Sequence, residues 1–196
     1  MSLSLGNLNP VQRKMVFTGR GVHTTNSCCH ASTNDNNSSA STEGLYYAHA
    51  SSNNDHSDIN TKGRACHGSS NGERANATAK GPYSNASANG ERSNANAEGT
   101  CGIACANGKQ GKASVSGVSS IAIAPGVEGK AMAVEDDWIV LADKDITGKI
   151  NGIYTAQAGA KGEQGKIKGV PILPGNWYLF KDGQLKSEKP TYAFQI

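Results

Sequence analysis

The chain has 196 residues, of which 36% are hydrophobic, 6% aromatic and 24 are Gly, so a core of large side chains is not available to most of it. Such a chain is either disordered or buries its backbone in a repetitive structure that needs only small side chains. Nineteen basic and sixteen acidic residues give a formal charge of +3 with no block of Lys and Arg, which argues against nucleic acid as a partner.

Residues 1–21 match no repeat and are read as an N-terminal attachment segment. Met1 to Pro10 lack the basic start and apolar run of a signal peptide, and no stretch of the chain is long enough to span a bilayer, so no membrane partner is expected. A nine-residue pattern then begins in degenerate form. Val22, Thr24 and Asn26 are the first expected rung, followed by Ala31, Thr33 and Ser38, then Ala50, Ser52 and Ser57, then Ile59, Thr61 and Cys66. Asp35 and Asn54 stand where later repeats have Gly, as residues tolerant of left-handed backbone. One extra residue is needed between Ala40 and Ala48, which predicts a bulge or longer corner near Leu45-Tyr46-Tyr47.

From residue 63 the period is strict: Gly63, Gly72, Gly81, Gly90, Gly99, Gly108, Gly117 and Gly126. Ala77, Ala86, Ala95, Ala104, Ala113, Ala122 and Ala131 hold a second column. A third holds Ala79, Ala88, Ala97, Ala106, Val115, Ala124 and Ala133, and a fourth, of Ala, Ser or Gly, runs from Ala75 to Gly129. Small residues alternating with polar ones have the two-residue period of a β-strand, with the small column inward and Asn76, Thr78, Asn85, Ser87, Asn94 and Asn96 outward. Gly supplies a corner that needs positive φ or close backbone approach.

Composition changes after Val134. Trp138-Ile139-Val140-Leu141-Ala142, Ile153-Tyr154-Thr155-Ala156 and Trp177-Tyr178-Leu179-Phe180 are apolar β-prone runs, with hairpin turns predicted at 145–148 and at Asp182-Gly183. The expected architecture is all-β: a β-solenoid shaft of nine-residue repeats over 22–134 and a small antiparallel β cap domain over 135–196. Nine residues are too few to close a hollow coil. Either paired repeats form an eighteen-residue coil with two facing sheets, which the small interior residues favour, or three chains intertwine in a prism. About twelve rungs would span roughly 30 Å in the first case and roughly 60 Å in the second.

The array over residues 103–133, the run from Trp138 to Ala142 and the stretch Trp177-Tyr178-Leu179-Phe180-Lys181-Asp182-Gly183 resemble uncharacterised phage and gut-bacterial proteins. Those proteins carry Gly-Ala-Ser nonapeptide arrays and end in a WY-x-L-x-DG hairpin. In style the repeat is also similar to bacteriophage fibre shafts and trimeric autotransporter heads. The resemblance implies a structural virion protein of a bacteriophage: a trimeric head fibre, tail fibre or decoration protein, assembled in the host cytoplasm and located on the virion. Its expected partners are two further copies of itself, capsid or tail proteins through the N-terminal segment, and host-surface glycan through the C-terminus. No enzymatic activity and no cofactor are expected.

Candidate sites are few. His30, His49 and His67 share one outward column, and Cys29 and Cys66 fall in the inward column, where Cys packs as a larger Ser. Cys28 and Cys105 have no partner at zinc-ligand spacing, so no metal site is expected. Residues 159–166 have Gly and Lys in the style of a phosphate loop, but Ile167 stands where Ser or Thr is required. Glu135, Asp136, Asp137, Asp143 and Asp145 are read as solvated junction and turn residues. Trp138, Trp177 and Tyr178 are the candidate carbohydrate platform of the alternative function, a bacterial surface adhesin or carbohydrate-binding module.

Overall fold

The computed structural model describes residues 21–25, 30–159 and 165–190. The expected attachment segment, except for Gly21, lies outside these residues, as do Asn26, Cys28 and Cys29. The strands in chain order are β1 (Val22–Thr25), β2 (His30–Thr33), β3 (Ser39–Tyr46), β4 (His49–Ser52), β5 (Asp58–Arg64), β6 (His67–Ser70) and β7 (Asn76–Lys80). There follow β8 (Asn85–Ala88), β9 (Asn94–Glu98), β10 (Ile103–Ala106), β11 (Lys112–Ser116), β12 (Ile121–Ala124), β13 (Lys130–Met132) and β14 (Trp138–Lys144). Five more complete the fold: β15 (Ile150–Gln157), β16 (Lys166–Ile167), β17 (Val170–Pro171), β18 (Trp177–Lys181) and β19 (Gln184–Glu188).

Odd-numbered strands from β1 to β13 stack in parallel as one sheet, called sheet A here, and even-numbered strands from β14 back to β2 stack as the facing sheet B. The all-β solenoid is therefore as expected, with about six turns. Each turn uses two repeats, since Ala77 pairs with Ala95 and Ala86 with Ala104. One chain closes its own eighteen-residue coil, which is the two-sided roll and not the intertwined prism. Seven stacked strands at about 4.8 Å give a shaft roughly 30 Å long.

The interior is as narrow as its Ala columns require. Ala77, Ala86, Ala95 and Ala104 are buried, and a Cβ added at Gly68 would stand 3.2 Å from the Thr78 carbonyl oxygen of the facing sheet. Side chains this small bury little apolar area, at about 25 cal/mol per Å². The parallel backbone ladders therefore carry much of the order.

The glycine columns owe their identity to close approach. A Cβ on Gly81 or Gly117 would overlap the carbonyl of Gly63 or Gly99 one turn below, and a Cβ on Gly90 or Gly126 that of Gly72 or Gly108. Gly63, Gly81 and Gly99 also have positive φ, at 150°, 127° and 130°, but the left-handed position of each corner comes two residues after the glycine, at Ala65, Arg74, Tyr83, Arg92, Cys101, Gln110, Ser119 and Glu128. This corrects the reading of Asp35 and Asn54: the left-handed residues of those corners are Asn37 and His56. The carbonyl of Asn54 instead lies under Gly72, as a glycine's would.

The predicted extra residue is present. Glu43 pairs with Lys62 and Tyr46 with Arg64, so two residues, Gly44 and Leu45, oppose Gly63 alone. A second irregularity escaped the sequence reading. Ile121 pairs with Trp138 and Ala122 with Ile139, a seventeen-residue step, because the corner after Ala133 is one residue short.

The expected cap is antiparallel but continuous with the shaft. Strand β14 is the last parallel rung, β15 adds to it antiparallel, and β18 adds antiparallel to β13 and turns into β19. Strands β16 and β17 make a small separate hairpin. Both predicted turns form. Asp145 Oδ1 accepts from the N–H groups of Thr147 and Lys149, and Asp182 and Gly183 both have positive φ. At this end Ile139, Leu141, Ile167, Ile172, Tyr178 and Phe180 replace the Ala columns and plug the roll.

Candidate functional site

Each sheet shows three outward columns, and their chemistry is set by which residues the repeat leaves free. On sheet B the first column runs His30, His49, His67, Asn85, Ile103, Ile121, Trp138. The second runs Ser32, Ser51, Ser69, Ser87, Cys105, Ile123, Val140. Both columns change from polar to apolar at the same rung, β10. The next residue along forms a ladder in which Asn71 donates to Asn53 at 2.7 Å, Asn89 to Asn71 at 2.6 Å and Asn107 to Asn89 at 2.7 Å. The ladder ends one rung later, where Pro125 has no side-chain donor.

The capped half of sheet B therefore presents Ile103, Ile121, Ile123, Trp138 and Val140 with no charge among them. Ile103 is 40% and Trp138 42% exposed, and Ile153 on β15 extends the face at 65%. At the same rungs the outer face of sheet A carries Glu98, Lys112 and Lys130. The asymmetry belongs to one face of the roll.

The proposed sugar platform does not form. Trp138 lies on the outer face of sheet B, whereas Trp177 pairs with Met132 on the outer face of sheet A. Tyr178 pairs with Ala131 and points inward, 1% exposed. Its hydroxyl accepts from the Leu173 N–H at 2.8 Å and donates to the Pro171 carbonyl, so it is a core residue of the plug. The cause is alternation: adjacent residues of β18 point to opposite faces.

The histidine column is as read, outward and in register. The rings of His49 and His67 stack at 5.0 Å, and those of His30 and His49 lie 6.4 Å apart. Partial burial first, then the neighbouring His67 and His30, holds His49 below the ordinary imidazole range. Cys66 is buried in the inward column and Cys105 lies outward against Asn107. Residues 160–164 of the loop-like Gly/Lys stretch lie outside the described residues. No group of three or more His, Cys, Asp or Glu that could hold a metal occurs among the described residues.

The junction carboxylates do not converge. Asp145 caps its turn, and Asp143 pairs with Lys168 at 3.1 Å. Asp137, read as solvated, is fully buried, because the shortened corner places it in the inward Ser84–Gly102–Ser120 column. Its Oδ1 accepts from the Ser120 N–H at 2.7 Å while Oδ2 has no hydrogen-bond partner among the described residues, and burial pushes its carboxyl above the ordinary range against the opposing pull of the Ser120 and Gly117 N–H groups.

Sequence reasoning missed one cluster. Leu45, Tyr46, Tyr47 and Tyr83 gather on a corner near the other end of the shaft, 74%, 49%, 61% and 52% exposed. Beside them a groove of about 660 Å³ is lined by Glu43, Leu45, Lys62, Arg64, Lys80 and Pro82 over Gly44, Gly63 and Gly81. The inserted residue was the available signal. No protein family, curated protein or solved structure matches the chain.

Proposed function

We propose that the chain is a structural protein of a bacteriophage virion, a homotrimeric head fibre, tail fibre or decoration protein. In this reading the N-terminal segment attaches to the particle and the shaft acts as a rigid spacer. The C-terminal β-domain is the end that meets the host surface. Small Ala and Ser side chains fill the interior columns along much of the shaft, which supports a spacer role for the roll itself.

The observation that carries it is the uncharged apolar outer face on the capped half of sheet B. Soluble monomers rarely expose a contiguous face of large aliphatic and aromatic residues without using it. Four residues at about 3.3 Å make that face about 13 Å wide. Three such faces turned toward a common axis form a prism whose inside Ile103, Ile121, Ile123, Trp138 and Val140 fill. An uncharged apolar face packs against its own symmetry copies without charge conflict, and a heterologous contact that closes after three steps makes a trimer.

Sedimentation equilibrium of the full chain tests it. A mass of three chains is expected, and Ile121→Lys with Ile123→Lys should release folded monomers. A wild-type monomer at micromolar concentration would overturn the trimer. The adhesin or carbohydrate-binding alternative, in so far as it rests on Trp138, Trp177 and Tyr178, has lost its platform.

A further inference from the structure

The single added residue of the shaft lies at Leu45, where two residues oppose Gly63 alone. The next two equivalent corners, from Lys62 to Ala65 and from Lys80 to Tyr83, close without it, so the fold does not need the insertion. Its effect is to push Leu45, Tyr46 and Tyr47 outward, at a cost in exposed apolar surface that folding does not repay. Three of the six tyrosines of the chain lie exposed along this corner column.

Tyr46 is the register partner of Arg64, and the Arg64 guanidinium lies over the Tyr83 ring, 5.6 Å from its centroid. Tyr47, Ala65 and Tyr83 occupy successive left-handed corner positions, with φ of 52°, 55° and 59°. The small Ala65 thus leaves a notch between two tyrosines that are two rungs, about 10 Å, apart along the stack. That is the length of a pair of linked rings in an extended polymer, not of a compact metabolite.

The adjoining groove has a floor of stacked glycine backbone and runs parallel to the stack. Its lining holds three cations, Lys62, Arg64 and Lys80, against one carboxylate, Glu43. Lys62 pairs with Glu43 at 2.6 Å and Lys80 with Glu98 at 3.0 Å. Both pairs are exposed, and such pairs hold their partners weakly enough to exchange them for a ligand carboxylate. No carboxylate pairs with Arg64 among the described residues.

We propose that this tyrosine corner and its basic groove bind an acidic glycan laid along the shaft. Tyrosine faces would stack on sugar rings, and Lys62, Arg64 and Lys80 would meet its carboxylates. A peptide fits less well. Addition of a strand needs free backbone groups, and those of this corner are spent on the coil: the Gly81 N–H donates to the Glu98 carbonyl and the Ala65 N–H to the Pro82 carbonyl. The site is separate from the apolar face of sheet B, so it stands or falls independently of the trimer.

Titration calorimetry of the full-length protein with hyaluronate, polygalacturonate and polysialate oligosaccharides tests the proposal, beside neutral cello-oligosaccharides and a poly-glutamate peptide. At least one acidic glycan should bind, more weakly as salt rises. Arg64→Ala and Tyr83→Ala should each raise its Kd roughly tenfold. Tyr83→Phe should retain the affinity, and Lys149→Ala, which removes an exposed cation in the distant cap hairpin, should leave it unchanged. Ala65 shows that the left-handed corner accepts Ala, and thermal melts confirm folding of each variant. No binding by any acidic glycan, equal binding of the neutral glycan or the peptide, or an unchanged Kd in both Arg64→Ala and Tyr83→Ala would overturn it.

Discussion

At the scale of single residues, Asp137 is where the shaft departs most from its own rule. Its column otherwise holds Ala48, Cys66, Ser84, Gly102 and Ser120, none of which brings a carboxylate into the interior. Shortening the corner after Ala133 brings a carboxylate to this position, where one oxygen accepts from Ser120 and the other has no hydrogen-bond partner among the described residues. Because burial raises its folded-state pKa above the unfolded 3.8, the folded protein holds the proton more tightly than the unfolded chain. Any stability from that proton is present below the unfolded value and is lost as pH rises through the folded one. At neutral pH the buried charge is a cost. Asp137→Asn keeps the acceptor for Ser120 and removes the charge, so it should stabilise the protein at pH 7 by about 1 kcal/mol. Denaturant melts at pH 7 and pH 3.5 check it: the gain should be large at the first and small at the second, and a loss at pH 7 would show that the carboxylate has a partner.

At the scale of the element, one repeat is a strand, a glycine and a left-handed corner residue, and only the first two are written in side-chain identity. Gly90→Ala should cost at least about 3 kcal/mol, because its Cβ would overlap the Gly72 carbonyl and force two turns apart. Gly148→Ala, at φ 85° in an open hairpin turn, should cost about 1 kcal/mol. Equal costs in thermal melts would mean that φ, not stacking, selects glycine. The asparagine ladder makes a parallel case. Asn89 holds two ladder bonds and Asn107 one, so Asn89→Ala should lose about twice as much stability, at about 1 kcal/mol per bond. These facts mark what was legible in the sequence. The glycine period, the inward Ala columns, the bulge at Leu45 and both hairpin turns could be read, because each depends on a residue type that few others replace. The left-handed position could not, since it accepts Ala, Arg, Tyr, Cys, Gln, Ser and Glu alike once the stacked carbonyl of the next turn holds it. The platform of Trp138, Trp177 and Tyr178 was excludable in part: alternation along a strand already sets Trp177 and Tyr178 on opposite faces, whereas which sheet a later strand joins, and so the separation of Trp138 from Trp177, is not legible.

At the scale of the whole molecule, the two ends of the roll differ in what they bury. The plugged end packs Ile139, Leu141, Ile172, Tyr178 and Phe180. Among the described residues, the other end buries Thr33 Oγ1, Ser38 Oγ and Thr42 Oγ1 without a hydrogen-bond partner, and its core cluster there is Val22, Ala31, Ala40, Ala50 and Ile59. Each turn touches chiefly its neighbours, so stability is a sum of local terms and the weak end can open without the strong one. Amide exchange should therefore be fastest in β1 to β4 and slowest in β12 to β14. The histidine column lies on the weak half. Because the folded-state pKa of His49 is lowered, the folded protein binds fewer protons than the unfolded chain. The His49 contribution is therefore fully present above the ordinary imidazole value of 6.5 and is lost as pH falls through the folded value. Lowering the pH from 7.5 to 5 should reduce protection in β2, β4 and β6, after correction for the intrinsic exchange rate, and leave β12 to β14 unchanged. His49→Asn, which extends the polar column of Asn85, should abolish most of that difference. Uniform protection along the shaft would show that the roll opens as a single unit, and acid loosening that survives His49→Asn would show that His49 does not carry the pH dependence.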